Sequence, residues 1–304
     1  MPDADRNQQL AAAYLSAVAE KKKGGQNKSA LVVSPTHAEG DRITAAIRSG
    51  LKAQGKLDGE RIVTSWVPTH LTDAQKTDAT EYEPGYMLQF HQNAKGFKKG
   101  SRLVAGEGVE LPTQHAKRFE VYRPVPLALA VGDRIRVTAG GKTKDGKHRL
   151  SNGSLFTVEG FNQRGDLIVN DGWVIDRDFG HLAHGYVVTS HASQGATVDK
   201  VFVGISHESF PATGQRTAYV AVTRGKEQAV IYTDDRNELL KAAGRPDEPM
   251  SATELAQPAD KPTLRDRMKR LSFARGLNVF ASRNESVQPS QAREAAQREV
   301  DHAR

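Results

Sequence analysis

The sequence contains no cysteine. That absence excludes disulfide cross-links, zinc ribbons and thiol catalysis, and it suits a reducing cytoplasm. Long apolar runs are missing too: no window approaches the roughly 18 residues a membrane span needs. The amino terminus, MPDADRNQQL, is polar and lacks the apolar segment of a secretory signal. Hydrophobic residues fill 38% of the 304 positions, enough for a sizeable core with part of the chain left unpacked. That length suits one large or two medium domains. There is no internal repeat.

What the chain has in excess is positive charge, concentrated in one place. Between positions 85 and 150 there are thirteen Lys and Arg against five acids, an excess of eight, while the whole chain carries +7. The remainder is close to neutral. A localised basic segment points to a polyanion, most often nucleic acid; a solvated basic face is the plainer alternative.

The apolar pattern divides the chain. NQQLAAAYLSAVAE (7–20) is rich in helix formers, and ALVVS (30–34) reads as a buried strand. Ile43, Ala46, Ile47 and Leu51 recur on one helical face, and RIVTSWV (61–67) reads as a further strand. Strand, helix, strand with short links predicts a parallel α/β layer. From about 85 to 181 the grammar changes to short alternating runs split by GG, DG, NG, RGD and NDG, the pattern of antiparallel hairpins. YVVTS, KVFVGIS and QAVIYTD then restore the parallel pattern, with a helical approach in TGQRTAYVAVTRG and a final helix in RNELLKAAG closed by Gly244. After that the chain is polar and Pro-bearing.

Three stretches carry candidate chemistry. In GYVVTSHASQGATVDKVFVGI, Thr189, Ser190 and His191 follow a strand, where open α/β sheets present residues to ligands at their carboxyl edge, and Gln194-Gly195 forms a turn that lets a backbone come close. On composition alone this is equally a polar connection. In AYVAVTRGKEQAVIYTD, Arg224 sits between an apolar run and Gly225, a guanidinium of the kind that neutralises a transferring phosphoryl group. In SPTHAEGDRITAAIR, Thr36 and His37 top a strand and Arg48 lies on the next helix.

Together and in this order, the three stretches resemble motifs IV, V and VI of superfamily-one DNA helicases. The nearest pattern is the helicase portion of conjugative relaxase-helicases of the TraI/TrwC kind, related to the exonuclease V helicase subunit. The resemblance spans about residues 5–240. It implies an α/β fold with the RecA-like parallel sheet of P-loop NTPases, here a second motor domain, carrying an inserted small antiparallel SH3-like β-barrel. The implied layout is an N-terminal helix and linker (1–28), the motor domain in two parts (29–84 and 182–244), the barrel (85–181) and a tail, largely disordered or helical (245–304). By the same resemblance Arg224 is the arginine finger, and Arg48 serves the same phosphates. Gln194 and Gly195 sit at the nucleotide. Thr36, His37, Thr189, Ser190 and His191 lie along single-stranded DNA, with Lys95, Lys98, Lys99 and Arg102 of the basic insert. Tyr86, Phe90, Phe97, Phe119 and Tyr122 are candidates for base stacking or for barrel core.

One departure limits these implications. A motor needs a P-loop, G-x-x-x-x-G-K-[ST], and a carboxylate pair for Mg²⁺ and water, and neither is present. In GGKT (140–143) the first glycine of the motif falls on Arg136, and the setting is a hairpin. ATP and Mg²⁺ are therefore expected only with a P-loop-bearing first half, and the chain is expected to be the second half of a bacterial, cytoplasmic motor. The alternative is a non-enzymatic single-stranded DNA-binding module or the remnant of a truncated relaxase gene. A metal on His181, His184 and His191 lacks a placed acid. Ser190, His191 and Asp199 lack a nucleophile elbow.

Overall fold

A computed structural model of the protein describes residues 3–190, 192, 193 and 196–245, and the backbone of 278–281. Along the chain, α1 (Asp3–Ala19) leads to β1 (Ala30–Ser34), α2 (His37–Ala53) and a long β2 (Asp58–Pro68). Two 3-10 turns precede β3 (Met87–Phe90) and β4 (Arg102–Val104), and a third (Thr113–Arg118) precedes β5 (Phe119–Val131). Then come β6 (Arg134–Val137), β7 (Gly141–Lys142), β8 (Arg149–Leu150), β9 (Leu155–Phe161), β10 (Leu167–Val169), β11 (Trp173–Ile175) and β12 (Leu182–His184). The chain continues through β13 (Val187–Thr189), β14 (Val198–Ile205), α3 (Gln215–Val222), β15 (Gly225–Thr233), α4 (Arg236–Ala243) and β16 (Asn278–Ala281). It forms two compact units, residues 1–43 with 189–304, and residues 44–188.

The first unit is built on a sheet of order β13-β1-β14-β15-β16, in which β1, β14, β15 and β16 run parallel. Val201, Phe202, Val203 and Ile205 of β14 are all buried, as expected of a strand covered on both faces. Leu10, Ala11, Tyr14 and Leu15 bury one side of α1, and Tyr14 meets Phe202 edge-on at 6.4 Å between ring centres. Gly204 permits this packing: a Cβ there would stand 2.4 Å from Ile43 and 3.2 Å from Leu10. Asp235 caps α4 through the amides of Asn237 (2.8 Å) and Glu238 (3.0 Å). Gly244 closes that helix at φ −85, in the right-handed region, so it needs none of glycine's special freedom. Asn278–Ala281 pairs with β15 and adds a strand inside the stretch read as tail.

The second unit is antiparallel. One sheet has the order β2-β5-β3-β4 and the other β11-β10-β9-β6-β12, with β7 and β8 forming a separate two-stranded ribbon. Leu129, Ile135, Leu150, Val158, Leu167 and Ile175 centre one core; Leu88, Phe90, Phe119 and Val121 centre a second. The hairpin strands expected in 85–181 are present, but the sheets also draw in β2 and β12 from outside that window. β2 is a correction to the sequence reading. It does not join β1 in a parallel layer; it pairs antiparallel with β5, Asp58 to Pro68 against Val131 to Tyr122. Its residues are mostly exposed, with Ile62 at 68%, which suits an edge strand covered on one side rather than a parallel strand buried on both. Residues 44–84 thus belong with the antiparallel unit.

Candidate functional site

The loop after β13 and the end of α3 meet in the first unit. Thr189 closes a turn, accepting from the Ser193 amide on its carbonyl (2.9 Å) and from the Ala192 amide on its hydroxyl (3.3 Å). Ser193 Oγ donates to the Ser190 carbonyl (2.6 Å). The Ser190 hydroxyl is buried and has no hydrogen-bond partner among the described residues. His191, Gln194 and Gly195 lie outside the described residues. The loop then delivers Val198, whose amide donates to the Arg224 carbonyl (2.9 Å). Arg224 folds over this corner: Nε donates to the Val220 carbonyl (2.9 Å), Nη2 to Thr223 Oγ1 (3.0 Å) and Nη1 to the Ala196 carbonyl (3.4 Å). All three acceptors are neutral. The half-buried guanidinium has no carboxylate partner among the described residues, leaving its charge available to an anion.

This corner lies where β14 and β15 begin, the amino edge of the parallel strands, and not the carboxyl edge expected for Thr189, Ser190 and His191. The reason is topological. Eight residues separate the end of β13 from the start of β14, with no helix among the described ones, so the loop stays at that end.

Thr36 and His37 lie at the opposite edge, just past the end of β1. Thr36 Oγ1 bonds Ser209 Oγ (2.9 Å) and accepts from the Glu39 amide (3.4 Å), which makes Thr36 a helix cap. Ser209 also donates to Glu39, and Arg6 Nη2 donates to Glu39 Oε1 (2.8 Å). Arg6 Nη1 stands 3.7 Å from Asp234, which accepts from the amide (3.0 Å) and ring nitrogen (2.7 Å) of His207. Arg6, Glu39 and Ser209 are buried. Sequence reading missed this cluster, although Thr36-x-x-Glu39 has the spacing of a capping box. His37 is exposed at the first turn of α2. With β14 eight residues long, the Arg224 and Thr36 ends of the sheet are roughly 25 Å apart.

In the second unit Arg48 is engaged. Its Nε and Nη2 each lie 2.9 Å from Asp133, and Nη2 also reaches Glu60 (2.7 Å). Asp133 is fully buried and accepts further from Tyr186 OH (2.8 Å) and the Ala130 amide (2.8 Å). The nearby His184 imidazole is held down at about 4, first by burial and then by Arg48. Lys95, Lys98 and Lys99 are exposed on the loop between β3 and β4 and make no ion pair among the described residues. Arg102 is exposed but bonds the Asp178 (2.6 Å) and Phe179 (2.9 Å) carbonyls. Phe90 and Phe119 are core, with Phe97 stacked on Phe90 at 4.3 Å, and Tyr86 packs against the same cluster. Tyr122 packs edge-on against buried His181. Gly141 and Lys142 of GGKT form β7, paired with Leu150 and Arg149. Among the described residues no group of three or more His, Asp and Glu is gathered as a metal site. None of the described helices is long and apolar enough to cross a membrane.

Comparisons with known proteins bear on the first unit most directly. Residues 184–232 match the UvrD-like helicase C-terminal domain, a span that runs from β12 to β15 and holds the Arg224 corner. The chain is 24% identical over 272 residues to the multifunctional conjugation protein TraI of Escherichia coli, covering 81% of this chain and 15% of that protein. It is 37% identical over 87 residues to the conjugal transfer protein TraA of Rhizobium radiobacter, covering 29% of this chain and 7% of that one. The chain thus spans a small fraction of the length of the curated relatives it matches. It is similar to the C-terminal helicase half of TraI-type proteins, as its motifs indicate. Among solved structures, a Bacteroides Pif1 helicase in complex with ADP-AlF3 and ssDNA is 15% identical with a TM-score of 0.38, covering 81% of this chain and 52% of that one.

Proposed function

We propose that this chain, with its UvrD-like segment, is the second motor half of an ATP-dependent single-stranded DNA translocase of bacterial conjugation. In this reading the first unit is a RecA-like motor domain that supplies motifs V and VI and the start of motif IV, whose Arg48 falls in the second unit, and the antiparallel unit takes the part of the SH3-like barrel on the translocating strand. A P-loop-bearing domain, on the same polypeptide or another, brings ATP and Mg²⁺. The bacterial cytoplasm is the setting this implies.

The observation that carries the reading is Arg224. It is half-buried, held in place by three neutral acceptors, Ala196 among them, and without a described carboxylate to quench it. Such a guanidinium suits the charge of a transferring phosphoryl group. Thr189 and Ser190 shape the loop before Ala196. Lys95, Lys98 and Lys99 offer charge to a phosphate backbone. Arg48 serves phosphates only if it leaves Asp133, and that favours, as a second reading, a binding module without nucleotide chemistry.

Phosphate release in the presence of single-stranded DNA tests the proposal. The chain alone is expected to show no turnover. Combined with a P-loop-bearing first half it is expected to turn over, and Arg224→Ala should lower kcat by about 10³-fold or more. Turnover by the chain alone, or reconstituted turnover indifferent to Arg224→Ala, defeats it.

A further inference from the structure

The basic segment contains a second feature besides the Lys95, Lys98 and Lys99 loop. The ribbon β7–β8 ends in GKHRL, and its His148 imidazole stacks on the Trp173 indole at 4.3 Å and 14°. Trp173 meets Phe156, a member of the core, at 5.6 Å. Phe156, inclined at 48° to the indole, thus anchors a stacked Trp173–His148 pair at the core: Phe156 is mostly buried, Trp173 half-buried and His148 exposed. The pair borders a cavity of about 540 Å³ that is also lined by Lys144, Asn162, Arg164 and Gly172, within the size range of small-molecule sites.

The charges around the pair are sorted. Lys144 is spent on Asp166 (2.6 Å) and Asp176 (3.2 Å). Two further acids line the cavity. Asp145 accepts from Thr143 Oγ1 (2.6 Å) and the Lys147 amide (3.1 Å), and Asp171 accepts from Asn170 (3.0 Å). Lys142, Lys147, Arg149 and Arg164 are exposed and make no ion pair among the described residues. A flat exposed ring flanked by cations that form no described ion pair is the combination that holds an unpaired base and its neighbouring phosphates. Acids in the cavity beside it suit the amino edge of a base rather than a phosphate.

We infer that His148 is a base-stacking plate for single-stranded DNA: one unpaired base continues the Trp173–His148 stack, and Lys142, Lys147, Arg149 and Arg164 hold the adjoining phosphates. This rests on the single-stranded DNA reading above and places its base contact at a residue that the motifs do not mark. His148 is exposed and its backbone alone bonds the ribbon, so replacing the ring leaves the fold in place.

The probe is a fluorescein-labelled oligodeoxycytidylate, with polyglutamate as a polyanion that lacks bases. His148→Ala is expected to bind the oligonucleotide about tenfold more weakly, while His148→Phe retains the affinity because it restores the plate. In a Trp66→Phe background, where Trp173 is the remaining tryptophan, the oligonucleotide should quench indole fluorescence and polyglutamate should not. Unchanged affinity in His148→Ala, a His148→Phe variant as weak as His148→Ala, or equal quenching by polyglutamate overturns the inference while leaving DNA binding standing. An unmodified protein that does not bind the oligonucleotide at all removes the DNA reading and this site with it.

Discussion

Arg48 offers the sharpest test, because its motif position and its contacts point to different roles. The motif it resembles implies a role on phosphates; by its contacts it holds a fully buried carboxylate. Removing one member of a buried ion pair strands the other and costs about 3–5 kcal/mol. Asp133 keeps two donors after Arg48→Ala, the Tyr186 hydroxyl and the Ala130 amide, so the lower end applies, about 3 kcal/mol. Arg48→Lys keeps the charge but loses the two-pronged geometry on Asp133, and should fall between wild type and alanine.

Urea unfolding followed by tryptophan fluorescence isolates this effect. Both tryptophans, Trp66 and Trp173, lie in the second unit with Arg48 and Asp133, so the signal reports on that unit. With a slope of about 2 kcal/mol per molar urea, the midpoint for Arg48→Ala should drop by about 1.5 M. A drop of less than about 0.5 M would refute the structural role, since a surface ion pair accounts for no more than about 1 kcal/mol. The phosphate role would then regain its claim, with loss of reconstituted turnover at unchanged stability as its signature.

Two other predictions address the second unit. Burial holds the His181 and His184 imidazoles at about 4, below the value of an unfolded chain, so the unfolded state takes up protons first as pH falls. Stability is therefore full above about pH 6.5 and is lost on acidification toward pH 4, by about 1–2 kcal/mol per histidine at pH 5. Urea midpoints that do not change between pH 7 and 5 would contradict this. Replacing Lys95, Lys98 and Lys99 together by alanine should weaken single-stranded DNA binding and lower the slope of log K against log salt by about 2, at roughly 0.7 for each phosphate no longer neutralised. An unchanged slope in a titration series would remove these lysines from the strand.

Much of the fold was legible because its signals are local. β1, β14, α3 and β15 announce themselves by apolar runs and helical spacing, and the hairpins of the second unit by their turn dipeptides. β2 was misplaced because a short apolar-rich run has the same local appearance in either kind of sheet. What decided its partner was β5, far downstream in the chain, and nothing within RIVTSWV encodes that pairing. The aromatics of 85–122 were ambiguous for a similar reason: Phe90 and Phe119 look alike in a stacking groove and in a core until the strands that cover them are placed.

The candidate site shows the same division between residue type and address. Arg224 was recognisable as a cation at a helix end, and the structure adds that no described carboxylate claims it. Arg48 was equally recognisable, yet its partner Asp133 is 85 positions away, so its engagement could not be read from its motif. Thr189 and Thr36 make the case more sharply. Both follow strands of one sheet, and a sequence rule that looks to the carboxyl ends of strands puts them together. The direct link from β13 to β14 sends the Thr189 loop to the amino edge with Arg224, while Thr36 stays at the carboxyl edge, turned inward to Ser209 and Glu39. Residues that belong to one set of motifs therefore occupy two places in the molecule. Between the two places runs β14, where Gly204 leaves a notch that Ile43 and Leu10 occupy. Filling that notch with Gly204→Ala forces Ile43 and Leu10 to move.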